Sequence, residues 1–180
     1  MNYGLGRMEN NRKLEELTAS PNISARRVLG KIFQYLARKM PFLPSKYRVL
    51  FQSWHGVQFA DRGTVFLGED VYFDDIYPSQ IFVGLNVRIT SGVRILTHFF
   101  DTRFEPTPDR PFRFYKGKVV IGDNVFIGLN AVIAKPVSIG EGAVIGANSL
   151  VISDVPPNAI YVGVPAVGVG ERPPMKGNAV

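Results

Sequence analysis

Residues 121–156 break into six units of six: IGDNVF, IGLNAV, IAKPVS, IGEGAV, IGANSL and VISDVP. An aliphatic residue opens each unit (Ile121, Ile127, Ile133, Ile139, Ile145, Val151), and a small or β-branched residue stands fifth (Val125, Ala131, Val137, Ala143, Ser149, Val155). A helix repeats its apolar residues about every 3.6 positions and a half-buried strand every second, so neither keeps a strict six. A short strand followed by a turn does. Each unit then forms one flat side of a coil, with its opening side chain in a central stack and its fifth residue at the corner. Gly122, Gly128, Gly140 and Gly146, second in their units, are expected to let the backbone bend. Stacked coils bury a continuous column of Ile and Val that no single unit buries alone.

The same phase extends upstream with less regularity as LGEDVY from Leu67, VGLNVR from Val83, ITSGVR from Ile89 and ILTHFF from Ile95. It breaks at DDIYPSQ, residues 74–80, and again after Phe100. The segment 101–119, DTRFEPTPDRPFRFYKGKV, holds three prolines and no sixfold pattern. It reads as a long loop ejected from the stack, and loops of that length commonly carry function.

The chain has 180 residues, 46% of them hydrophobic and 20% charged, which suits a soluble globular protein. It contains no cysteine, so thiolate nucleophiles, disulfides and cysteine metal sites are excluded. No apolar run is long enough to span a bilayer, and the first twenty residues are too polar for a signal peptide, so a cytoplasmic location is expected. The net charge of +6 is concentrated near the N-terminus, where residues 1–50 carry ten Lys/Arg against three Asp/Glu. There SARRVLGKIFQYLARKM spaces Val28, Ile32, Phe33, Leu36 and Met40 as on a helix, with Pro41 and Pro44 ending it. A basic amphipathic helix is able to contact an anionic membrane; the favoured expectation is that its apolar stripe packs on the domain. No nucleic-acid partner is expected.

With its ten hexads and the ending DVPPNAIYVGVPA (residues 154–166), the chain resembles the hexapeptide-repeat acyltransferases over about residues 55–168. Within that superfamily it is most similar to the sugar and polysaccharide O-acetyltransferases, relatives of the maltose, galactoside and capsule-modifying enzymes. The resemblance implies an all-β fold, a left-handed parallel β-helix of triangular section. It also implies a homotrimer with acetyl-coenzyme A between neighbouring subunits. The expected organisation is a polar extension (1–22), a basic helical cap (23–58), the β-helix (59–168, with the loop at 101–119) and a tail (169–180).

In such enzymes a histidine and a following aspartate close a coil just before a loop; here these are His98 and Asp101. Acyl transfer from a thioester to a hydroxyl needs a base for the proton and donors for the oxyanion, and a histidine suits the first task. Asp101 would orient the imidazole. No G-x-S-x-G elbow accompanies it, so direct attack in a ternary complex is expected in place of an acyl-enzyme. His55, beside the only tryptophan, is expected to pack under the N-terminal cap. Two histidines are too few for the three-histidine zinc site of the carbonic anhydrases that share this fold, and no metal is expected.

Motif position places the donor against Leu129 and Ala147, with the Leu129 N–H as a candidate oxyanion donor. Ser153 and Val167 stand where relatives carry phosphate-binding cations, so Lys135, Arg172 and Lys176 are the replacements. For a small-molecule or glycan acceptor, the break in the hexads offers Asp74, Asp75 and Tyr77. The leading expectation is acetylation of a sugar hydroxyl in surface polysaccharide assembly. The alternatives are N-acetylation of an amino-sugar nucleotide, acetylation of an antibiotic, and a β-helix that only scaffolds partners.

Overall fold

A computed structural model describes residues 14–17, 24–101 and 113–173. Strand β1 (Leu14–Leu17) precedes helices α1 (Ala25–Lys39) and α2 (Ser45–His55). The first coil is β2 (Gln58–Phe59), β3 (Phe66–Leu67) and β4 (Tyr72–Phe73), and the second is β5 (Ile81–Val83), β6 (Arg88–Ile89) and β7 (Arg94–Ile95). A hairpin of β8 (His98–Asp101) and β9 (Arg113–Gly117) leads to β10 (Val119–Ile121), β11 (Phe126–Ile127) and β12 (Val132–Ile133). There follow β13 (Ser138–Ile139), β14 (Val144–Ile145), β15 (Leu150–Val151), β16 (Ala159–Val162) and β17 (Val167–Glu171).

These strands stack into three faces of a prism. Face one is β2, β5, β10 and β13; face two is β3, β6, β11, β14 and β16; face three is β4, β7, β12 and β15. Pairing within each face is parallel, with Phe126 opposite Val144 and Val132 opposite Leu150, three hexads further on. The fifth residue of one unit and the first of the next both point inward: Val125 and Ile127 are fully buried, while Phe126 between them faces out. The Ile and Val column read from the sequence is thus the core.

The corners differ in one respect from the expectation. The residue that bends the chain is the fourth of its unit: Asp70, Asn86, Asn124, Asn130 and Asn148 have φ between 51 and 59°, and Gly92 and Gly142 share that left-handed region. Asn and Asp tolerate it because their short polar side chains bond locally. The second-place glycines serve coil-to-coil approach. A Cβ on Gly128 would lie 2.6 Å from the Ala147 nitrogen, and one on Gly140 would lie 2.4 Å from the Pro157 nitrogen.

The ejected segment also departs from a simple loop. Its flanks form a hairpin, β8 antiparallel to β9, and β1 adds to the outer edge of β9. The ILTHFF unit therefore contributes only Ile95 to the stack, because its fifth residue, Phe99, is too large for a corner and stacks on Tyr115 at 5.3 Å. Part of the expected N-terminal extension is thereby strand, as is the start of the tail, where β17 pairs with β16.

The two helices cover the first coil. Arg48 is buried and donates to the carbonyls of Ala37 (2.7 Å) and Leu43 (2.9 Å), tying α2 to α1. Gln34 Nε2 donates to the Phe73 carbonyl, and Ser45 Oγ accepts from Leu67 N at 2.8 Å, so exposed strand groups of the first coil are satisfied. The buried side of α1 is Gly30, Gln34 and Ala37, and Val28, Ile32 and Met40 stay about half exposed. The expected packing of that apolar stripe is thus met only in part: Phe33 and Leu36 are half-buried, with Phe33 against Phe51 and Trp54 of α2, while small and polar residues let the helix lie close enough for hydrogen bonds to the coil.

Gly140→Ala is expected to destabilise the fold by about 1–3 kcal/mol, because backbone on both coils must shift to admit the methyl group. Gly170→Ala meets no atom within 4 Å and should be near neutral. Urea denaturation of both variants checks this; equal midpoints would refute the close-approach role.

Candidate active site

His98 stands where the chain leaves face three, and Asp74 stands one coil earlier at the same corner, just after β4. The Phe73–Ile95 register brings the two together, with Asp74 N donating to the Ile95 carbonyl at 2.8 Å. His98 Nδ1 lies 2.6 Å from Asp74 Oδ2. The same oxygen accepts from Thr97 N (2.8 Å) and Thr97 Oγ1 (2.6 Å), while Oδ1 accepts from the backbone N–H groups of Ile76 (2.8 Å) and Tyr77 (3.2 Å).

Asp74 is fully buried, and burial alone would push its carboxyl up; the bonds from His98 and Thr97 outweigh this and hold it well below the usual carboxylate range. An ionised carboxylate only accepts, so Nδ1 of a neutral His98 carries the proton and Nε2 keeps its lone pair. That is the tautomer a general base requires. The His98 side chain retains 14% exposure, and the Tyr77 ring meets it edge-on at 5.8 Å between centroids. Lys116 of the hairpin places its ammonium 5.3 Å from the centre of the Tyr77 ring.

The carboxylate on His98 Nδ1 is that of Asp74; the expected partner, Asp101, continues the β8 backbone opposite Arg113, and its side chain lies outside the described residues. Asp74 is also removed from the acceptor contacts, since a fully buried carboxylate with both oxygens occupied has no surface to offer. Asp75 is committed too, accepting from Tyr72 Oη at 3.0 Å and pairing with Lys31 at 2.9 Å. Burial raises the Asp75 carboxyl and those two partners lower it, with a net fall; burial and then Asp75 push the Tyr72 hydroxyl to about 12. Tyr77, the third expected acceptor contact, sets its ring beside His98.

Leu129 and Ala147 occupy equivalent places on successive coils, both exposed, with Asn148 N donating to the Leu129 carbonyl at 2.8 Å. They line the corner between faces two and three, whereas His98 leaves from the corner between faces three and one. Lys135 lies at the same corner as His98, one coil further along. Arg172 is held at the corner between faces one and two, where its Nη1 donates to the Asn124 carbonyl at 3.1 Å, so one chain does not bring it to Lys135. Lys176 lies outside the described residues. Among the described residues no group of His, Asp or Glu has the arrangement of a metal site.

His55 packs beneath α1, as expected, with 7% exposure. Its Nδ1 lies 3.2 Å from Gln52 Oε1 and its Nε2 has no partner. Burial lowers its pKa from 6.5 to about 4, against the opposing pull of Asp75 and Asp74.

The sequence pointed to His98 but missed Asp74 as its partner, and missed Thr97. Both breaks in the hexads, at 74–80 and after Phe100, open from face three toward face one; that shared position was the available signal.

Because the fold keeps His55 neutral where the unfolded chain protonates it, the folded state binds fewer protons between pH 6.5 and 4. Stability is full above 6.5 and falls as pH drops through that window, by on the order of 3 kcal/mol. His55→Gln should flatten this slope in urea titrations at successive pH values, and an unchanged slope would assign it elsewhere.

A model of the hexapeptide repeat of succinyl-transferase matches residues 118–153. The putative acetyltransferase YvoF of Bacillus subtilis (strain 168) is 35% identical over 133 residues, covering 72% of this chain and 69% of that protein. The galactoside O-acetyltransferase of Escherichia coli (strain K12) is 49% identical over 51 residues, 28% of this chain but only 25% of that protein. A hexapeptide-repeat-containing acetyltransferase of Vibrio cholerae O1 biovar eltor, solved with acetyl-coenzyme A, superposes with a TM-score of 0.59 at 25% identity, over 87% of this chain and 92% of that one. The stacked hexads, the extent of the match to the Bacillus protein and the shared fold make one conclusion: the chain belongs to the hexapeptide-repeat acetyltransferases.

Proposed function

We propose that this acyltransferase moves an acetyl group from acetyl-coenzyme A to a hydroxyl of a sugar or surface polysaccharide precursor, with His98 as general base. The observation that carries the reading is the 2.6 Å contact of His98 Nδ1 with a buried, ionised Asp74. The acceptor hydroxyl gives its proton to Nε2 as its oxygen attacks the thioester carbonyl carbon. The tetrahedral oxyanion collapses, the C–S bond breaks, and the departing thiolate takes the proton back from the imidazolium. Asp74 holds the ring through this cycle and stabilises the imidazolium, without itself taking the proton. An acetyl ester and free coenzyme A result.

The donor arrangement favours a homotrimer. Leu129 and Ala147 sit at one edge of face three and His98 at the other, so a single prism separates the proposed oxyanion donor from the base. A neighbouring copy that sets its Leu129 edge against this His98 would bring them together, with Lys135 available to the coenzyme phosphates. Tyr77 and Lys116 flank the base and offer an aromatic edge and a cation to a carbohydrate. The left hand of the β-helix is part of the same reading, supported by the fold of the acetyltransferase relatives.

His98→Ala is expected to lower turnover by about 10²–10⁴-fold with the coenzyme KM little changed. Asp74→Asn should lower turnover comparably, because an amide can stabilise the wrong tautomer. The assay is thiol release from acetyl-coenzyme A with a panel of neutral sugars, amino sugars and antibiotics, together with light scattering for the trimer. Turnover by His98→Ala within a few-fold of the parent protein would sink the assignment, and preference for an amine acceptor would redirect it to N-acetylation.

A further inference from the structure

Among the described residues, one apolar face of helix α1 stays half exposed or more. Gly30, Gln34 and Ala37 form its buried side, and Val28, Ile32 and Tyr35 run along the opposite side at spacings of four and three, exposed by 50%, 49% and 66%. Leu29, Gly30, Phe33 and Trp54 of α2 line an open groove of about 380 Å³ beside that stripe. Phe33 and Trp54 meet at 5.0 Å, and Trp54 still keeps 52% of its surface free. Isolated exposed apolar residues need no explanation, but a contiguous stripe of this length on one helix does.

Charge selects the occupant. Helix α1 contains Arg26, Arg27, Lys31, Arg38 and Lys39 and no acidic residue. Lys31 and Lys39 remain about half exposed, and the single carboxylate of Asp70 is shared by Arg38, Lys39 and Arg94. The cap is therefore net positive around an apolar centre. A second copy would set two such helices together, like charge against like. An anionic lipid surface complements both features at once: the aliphatic stripe enters the acyl boundary, Trp54 and Tyr35 lie at headgroup depth, and the cations meet lipid phosphates. At fifteen residues α1 is about 22 Å long. Among the described residues no helix is long and apolar enough to cross a membrane, so the helix would lie in the surface plane.

We propose that the outer face of α1, with Trp54, docks this protein on an anionic membrane surface. The docking does not depend on what the acceptor is. Trp54 is the only tryptophan in the chain and so reports on its own environment. Full-length protein mixed with phosphatidylcholine–phosphatidylglycerol vesicles at low salt should show a blue-shifted tryptophan emission and sediment with the vesicles. Phosphatidylcholine vesicles, or high salt, should reduce both. Leu29→Asp with Ile32→Asp should lower the vesicle partition by about tenfold or more, with circular dichroism and thermal midpoint retained. No blue shift in the parent protein overturns the proposal, whatever the variant does. So does equal sedimentation of a folded variant, or light scattering that shows the variant splitting a larger assembly while parent protein ignores the vesicles, since the face would then join copies of this chain.

Discussion

At Gly122, Gly128 and Gly140 successive coils approach so closely that no side chain fits between them, and this spacing governs the corners there. A Cβ at Gly122, Gly128 or Gly140 would fall within 3 Å of backbone on the next coil. Parallel pairing between coils, such as Gly128 N to the Ile145 carbonyl at 2.8 Å, accompanies that approach. Once it is met, Ile121, Ile127, Ile133, Ile139 and Ile145 are buried almost completely, each contributing roughly 1.5–3 kcal/mol relative to exposure. A rigid stack with fixed corners is the consequence, and a rigid stack is what holds a catalytic side chain in one place.

The departures from the repeat gain meaning against that regularity. Apart from the β2–β3 connection, corners between faces one and two, and between two and three, use a left-handed Asn, Asp or Gly as the fourth residue. At the third corner the fourth residues are His98, Pro136 and Asp154, and the chain turns by other means. Proline fixes φ near −65° and so excludes the left-handed turn outright. Asp154 instead accepts from Ser138 N at 2.7 Å, binding neighbouring coils through its side chain. Asp74 does the same at higher cost, and its burial is tolerated only because five donors converge on its two oxygens. One of those donors is the imidazole, so the group that closes the corner also sets the tautomer of His98.

This explains which parts were legible in the sequence. The hexads are a period of the backbone itself, so the core column and the excursion after Phe100 could be read from side-chain type alone, whereas the three-sided section came from the family resemblance. His98 was legible because it ends that period. Its partner was not, because Asp74 lies 24 positions earlier and the pairing depends on two irregular segments leaving the same corner. Asp101 was nearer in sequence, but β8 carries it away along a hairpin that no six-residue count predicts. The second-place glycines were visible yet misread, because a glycine needed for close approach and one needed for a turn look alike until φ is known. Helix α1 was misread in part, for a related reason: its apolar stripe is genuine, but the face that packs is chosen by what lets Gln34 reach the Phe73 carbonyl.

That choice links the cap to the site. Gln34 bonds the carbonyl of Phe73, the residue immediately before Asp74, and Lys31, one turn earlier on the same helix, pairs with Asp75, the residue immediately after. Arg27, a further turn back, donates to the Ile76 carbonyl at 3.2 Å. Three consecutive turns of α1 therefore clamp residues 73–76, the segment that presents the carboxylate to His98. A helix that turned its aliphatic stripe inward would lose all three bonds and leave that segment without support. The exposed apolar face of α1 is thus the counterpart of an ordered His98–Asp74 pair, because one helix cannot offer both its polar clamp and its aliphatic stripe to the same coil.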